Sequence, residues 1–135
     1  MKDTLLKSFQ PLEIKIASDL IGIPYLNSGI DLNGFDCWGL VWYFYNEIGI
    51  KTPKPSDILT KFPNNKKNKS WKAIDYPSDV CLASFKRREI TIHVGVYFPN
   101  FKKILHADRS MGVVFENLQS AEMNNGMKAQ FYKWH

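Results

Sequence analysis

Gly34-Phe35-Asp36-Cys37-Trp38-Gly39-Leu40-Val41 is the stretch on which the reading of this chain turns. It is a loop that runs directly into a helix expected from Cys37 to about Ile48, closed by Gly49. Cys37, Leu40, Val41, Phe44 and Ile48 line one face, and Trp38, Trp42 and Tyr45 widen the apolar girth. A helix apolar over most of its circumference is central to a fold rather than peripheral. Asp36 is placed to cap it by accepting from a first-turn N–H. Cys37 then occupies the first helical position, where unpaired N–H groups and the macrodipole favour a thiolate. A buried helix start needs only a small apolar residue there, so this segment alone serves a structural cysteine and a nucleophile equally well.

Working outward, Leu12, Ile16, Leu20 and Ile21 recur at helical spacing, which predicts a first amphipathic helix from Pro11 to Ile21, stopped by Gly22 and Pro24. Residues Gly22 to Gly34 read as loop and contain Tyr25. Beyond the central helix, Ser56 is expected to cap a short turn through Leu59, and Lys61 to Lys72 reads as an exposed basic loop. After Pro77-Ser78-Asp79 the pattern changes to strands: Val80 to Phe85, Thr91 to Phe98, Lys103 to Ala107, Gly112 to Phe115 and Ala129 to Trp134. Helices first and sequential strands after predict an α+β domain, with an antiparallel sheet of about five strands packed on the N-terminal helices.

The 135 residues fit one domain, 1–135, large enough to bury a core without staples. Apolar residues at 44% and charged residues at 23% match an ordinary globule, and two cysteines make no disulfide framework. No apolar run has the length of a membrane span, and the N-terminus shows no standard signal peptide. The expectation is therefore synthesis in the cytoplasm and, for any work outside it, a non-standard route of delivery. A net charge of +5 favours anionic partners such as nucleic acid, teichoic acid or peptide carboxylates without choosing among them.

Two of the three histidines, His93 and His106, fall inside expected strands. If Phe98 pairs with Lys103 around Pro99-Asn100-Phe101-Lys102, His106 lies opposite Gly95 and His93 is its diagonal neighbour on the same face. Diagonal neighbours stand roughly 7–8 Å apart, within reach of two imidazoles. A loop one residue longer or shorter would put them on opposite faces. The combined set is a nucleophile-and-base arrangement: Cys37 as thiol, His93 to take its proton, His106 to orient His93. Attack on an amide carbonyl would give a thioester, with the oxyanion held by the Cys37 N–H and a phenol such as Tyr25.

The chain resembles the NlpC-type cell-wall cysteine peptidases in Leu20-Ile21-Gly22-Ile23-Pro24-Tyr25, Asp36-Cys37-Trp38-Gly39-Leu40-Val41, His93-Val94-Gly95-Val96-Tyr97 and Leu105-His106-Ala107, taken in that order. Pro77-Ser78-Asp79-Val80 is similar to the family's Pro-Gly-Asp turn before the first strand. The resemblance implies a compact papain-like fold and hydrolysis of peptidoglycan stem peptides, typically between D-glutamate and a diamino acid. It implies Cys37 as nucleophile, His93 as base, His106 as the orienting third member and Tyr25 as the phenol beside the thiol. No metal or cofactor is implied. Most wall-recycling members carry serine after the cysteine, where it helps the preceding aspartate bind the free amine of the stem peptide. Trp38 at that position calls amine recognition through Asp36 into question. The Asp-Cys-Trp-Gly-Leu form is more similar to the branch found in phage tail-assembly proteins. It implies a phage tail component or a delivered wall-degrading effector, with tail proteins or an immunity (inhibitor) protein as partners.

Rival readings follow from the same residues. Cysteine and histidine ligate zinc, but Cys37, His93 and His106 lack the short paired spacings of structural sites. A non-catalytic tail or scaffold protein that binds wall peptides would keep the fold and lose the chemistry. Nucleic-acid binding finds no recognised motif, and the basic residues are scattered rather than striped. Cys81 reads as a small buried hydrophobe. Asp108 and Arg109, close after His106, read as a surface turn, with the border of the cleft as the alternative, and Glu116 carries no argument.

Overall fold

The computed structural model describes residues 11–55, 70–88 and 90–135. Helix α1 (Leu12–Leu20) leads to a hairpin of two short strands, β1 (Ile30–Asp31) and β2 (Gly34–Phe35), and then to helix α2 (Cys37–Glu47). Strands β3 (Trp71–Ile74), β4 (Cys81–Arg87), β5 (Ile90–Phe98), β6 (Lys103–Asp108) and β7 (Gly112–Asn117) follow. A third helix, α3 (Leu118–Asn125), precedes the last strand, β8 (Ala129–Trp134).

Strands β3 to β8 form one antiparallel sheet in the order β3-β8-β4-β5-β6-β7. The sheet thus has six strands rather than about five. The additional strand, β3, takes up Trp71 and Lys72, the end of the stretch whose composition predicts an exposed basic loop. Trp71 pairs with Trp134, and their rings meet edge-on at 5.0 Å. The turn expected to be capped by Ser56, and most of the basic loop, lie outside the described residues. The chain end is tied in as well: His135 N–H donates to the Ser70 carbonyl at 2.8 Å. Among the described residues no helix is long and apolar enough to cross a membrane.

Two layers of side chains sandwich the sheet. On one face, Leu40, Val41 and Phe44 of α2 and Ile16 and Leu20 of α1 bury against Val94, Val96, Phe98, Leu105 and Ala107. On the other, Cys81, Ala83, Phe85, Tyr97 and Ile104 bury against Ala121 of α3. The alternation within β5 and β6 is strict, as the two-residue strand period requires. Full burial of each large apolar side chain contributes about 1.5–3 kcal/mol, so α2, with Leu40 and Phe44 at zero exposure, anchors the domain.

The start of α2 is held by the open end of the β1–β2 hairpin. Asp36 accepts from the Gly39 N–H at 2.6 Å, the expected N-cap. Asp36 N–H in turn donates to the Gly29 carbonyl at 3.2 Å. That carbonyl lies so close to Gly39 that an added Cβ would run into it. Gly39 is therefore required by contact, not by backbone angle. Gly39→Ala is expected to cost about 1–3 kcal/mol, the range for overpacking a filled site. The check is a urea midpoint that falls with an unchanged slope. A wild-type midpoint would mean that the segment before β1 is not fastened to the helix.

Candidate active site

The site grows from three backbone decisions. The first is the β5–β6 hairpin. Phe98 pairs with Lys103, Tyr97 with Ile104 and Val96 with Leu105. The turn is closed by Phe101 N–H to the Phe98 carbonyl at 3.1 Å, with Lys102 at φ 52°. This is the register that puts His93 and His106 on one face. Their side chains meet: His93 Nε2 lies 2.8 Å from His106 Nδ1.

The second decision positions Tyr25. Gly22 N–H donates to the Val113 carbonyl at 2.9 Å, and Val113 N–H donates to the Ile23 carbonyl at 2.8 Å. These bonds tie the loop after α1 to β7, and Tyr25 forms a parallel bridge to Phe35. The third is the capped start of α2, which presents Cys37. Here the two layers converge. Cys37 packs with the α2 layer, whereas His93 and His106 share strand parity with the α3 layer, His93 lying 5.8 Å from the Phe85 ring. The Val94 backbone nonetheless lies near enough to the Cys37 sulfur to pull its pKa down, and Cys37 and His93 line the same cleft. The thiol therefore sits directly beside the strand that carries His93.

Tyr25, Cys37, His93 and His106 line one cleft of about 280 Å³ together with Asp108, Arg109 and Glu116. Asp108 forms the expected turn, accepting from the N–H groups of Ser110 and Met111 at 2.9 Å each. Arg109 borders the cleft, the alternative to a plain surface turn, and places its guanidinium 5.8 Å from the centre of the Tyr25 ring. Glu116, given no role from sequence, bonds His106 Nε2 through Oε1 at 2.7 Å. Asp36 stays with its cap, and Trp38 is 5% exposed within the core rather than in the cleft lining. Cys81 is 1% exposed on the far face of the sheet, so Cys37 is the thiol that the cleft presents. Among the described residues no group of three or more His, Cys, Asp or Glu side chains is placed to hold a metal ion.

Electrostatics corrects one expectation. Burial pushes the Cys37 thiol up to about 11, against the pull of the Val94 backbone and with a further push from Asp36. Helix-end stabilisation of a thiolate is thus outweighed by desolvation. Burial likewise lowers His93 to about 4, helped by the neighbouring His106 and opposed by Asp108. The resting pair is a neutral thiol beside a neutral imidazole. Tyr25 is held above the usual phenol range by burial and by Cys37, so it remains a donor at neutral pH.

Fold and side chains together define a class: an α+β domain of papain-like type, with a thiol at a helix start and an imidazole pair on the sheet across from it. The chain belongs to the NlpC/P60 family, whose model matches residues 22–131. Its fold is similar to that of the NlpC/p60 domain of the peptidoglycan hydrolase SagA (20% identity, TM-score 0.64), covering 91% of this chain and 96% of that one. An NlpC/P60 family protein from Bacillus cereus ATCC 10987 aligns at 18% identity and TM-score 0.67, over 90% of this chain and 38% of that one. NlpC2 from Trichomonas vaginalis aligns at 18% identity and TM-score 0.62, over 90% and 45% respectively. The chain thus spans nearly all of the SagA domain but less than half of the other two. No curated protein matches it.

Proposed function

We propose that this protein is a cysteine endopeptidase that hydrolyses peptidoglycan stem peptides, at the bond between D-glutamate and a diamino acid, through a thioester acyl-enzyme. The observation that carries this reading is the 2.8 Å bond between His93 and His106 in the same cleft as Cys37. Neutral His93 takes the Cys37 proton as the sulfur attacks the scissile carbonyl. Transfer at the moment of attack suits a buried pair that is uncharged at rest. Tyr25 donates to the oxyanion as charge develops on it. The tetrahedral adduct collapses to the thioester, the His93 imidazolium protonates the leaving amine, and His93 then activates the water that releases the acid and restores the thiol.

The turn of Trp38 into the core and the commitment of Asp36 to its cap support a substrate held without a free-amine clamp at these positions. The Asp-Cys-Trp-Gly-Leu form supports delivery as a phage tail component or a wall-degrading effector. The test is digestion of purified sacculi by the protein and by its Cys37→Ala form, with released muropeptides identified by mass. Fragments ending in D-glutamate, released only by the unaltered protein, are expected. Binding to sacculi with no fragment released by either form would favour the non-catalytic scaffold instead.

A base lowered to about 4 stays neutral well below the ordinary histidine range. The acid limb of kcat/KM is therefore expected below pH 5, rather than near 6.5. Between those values the unfolded chain binds a proton that the folded His93 does not. Stability should accordingly fall as pH is lowered through that window, before activity does. A pH–rate profile breaking near 6.5 would place the working base elsewhere.

A further inference from the structure

Glu116 stands on β7, paired to β6 so that Val114 faces His106 and Glu116 faces Ile104. It is thus the diagonal neighbour of His106 on the same side of the sheet, the relation that His93 holds from β5. His106 lies between them, 3% exposed, with one ring nitrogen bonded to each. An ionised carboxylate has lone pairs only, so across the 2.7 Å contact the hydrogen resides on His106 Nε2. A neutral imidazole carries one N–H, which leaves His106 Nδ1 as an acceptor. The 2.8 Å contact to His93 then requires the hydrogen on His93 Nε2. The nitrogen left with a lone pair on His93 is Nδ1, the ring nitrogen not engaged with His106.

The geometry points to Glu116 as a positioning residue of this site: its carboxylate fixes the proton on Nε2 of both His106 and His93, and so leaves His93 Nδ1 open to receive the Cys37 proton. Without that anion, His106 is free to adopt the opposite tautomer and donate from Nδ1 to His93 Nε2. His93 would then carry its hydrogen on Nδ1 and have no lone pair for the thiol. The same carboxylate faces the positive charge that His93 acquires, through one intervening ring. The other charged or titratable groups around the pair are Asp108 and Arg109 from the end of β6, Tyr25 and Asp36 from the loops before α2, and Cys37 itself. None of them bonds either imidazole in the structure, whereas Glu116 does. The catalytic consequence rests on the roles proposed above for Cys37 and His93, but the tautomers do not.

Two measurements decide the matter. Long-range ¹⁵N spectra of the unaltered protein near neutral pH should show both His93 and His106 as Nε2–H tautomers. His93 found as Nδ1–H would overturn the assignment, and this readout needs neither substrate nor variant. In Glu116→Gln, kcat for sacculus hydrolysis should fall on the order of tenfold to a hundredfold, the range for outer partners of functional histidines. KM should stay within about twofold, because Glu116 stabilises charge that exists only after proton transfer. The acid limb should move to lower pH, since the imidazolium has lost an anion, and Glu116→Asp should recover part of kcat. Wild-type kcat with an unmoved pH profile in Glu116→Gln would refute the role. If the unaltered protein cleaves no sacculi, the peptidase reading fails while the spectra still decide the tautomers. The same spectra decide them if Glu116→Gln does not fold.

Discussion

Cys37→Ala is expected to abolish turnover, lowering it on the order of 10⁴- to 10⁶-fold, as removal of a nucleophile does in enzymes that act through a covalent intermediate. No other thiol can stand in, because Cys81 is sealed on the opposite face of the sheet. The fold should survive. Cys37 is only partly buried, its layer is held by Leu40, Val41 and Phe44, and the Asp36 cap on Gly39 does not involve the sulfur. The melting midpoint should therefore stay within a few degrees of wild type while fragment release from sacculi disappears. The variant should still bind sacculi. Persistent turnover in Cys37→Ala would remove the thioester from the mechanism.

The second large effect separates the two imidazoles. His93→Ala should lower kcat by about 10²- to 10⁴-fold, the usual contribution of a general base. It leaves no proton acceptor beside the thiol and strands His106 Nδ1 without its 2.8 Å partner. His106→Gln should be milder, because the amide oxygen can accept from His93 Nε2 and preserve the working tautomer. Measured side by side as kcat/KM, His106→Gln should retain more than tenfold the activity of His93→Ala. Equal losses would mean that the roles are shared, and two silent substitutions would mean that neither ring handles the proton.

Much of this arrangement was legible in the residues. The four-residue turn after Phe98 set the register, and the register brought His93 to His106. The Asp36 cap followed from residue type and position alone. Other features left weaker traces. β3 follows a lysine- and asparagine-rich run, exposes Lys72 and Ala73, and depends on a partner strand at the far end of the chain. α3 buries only Ala121, so no apolar stripe marks it as a helix. β1 and β2 have two residues each, too few to display a period. Glu116 was in principle recoverable, since the Asp108-to-Gly112 turn fixes the β6–β7 pairing that sets it beside His106. The thiol shift was not, because helix ends are written locally whereas desolvation depends on what closes over the sulfur.

The division of the sheet into two layers has a mechanical consequence. The Cys37 sulfur and the His93 imidazole hang from separate supports, one from the packing beneath α2 and the other from the packing on the α3 side. Loosening the α3 support, for instance by enlarging Ala121, would detune proton handling while the sulfur kept its place. Loosening the hairpin beneath Asp36 would do the reverse. Substitutions far from the cleft should therefore sort into two groups by which half-reaction partner they disturb, according to the side of the sheet they occupy.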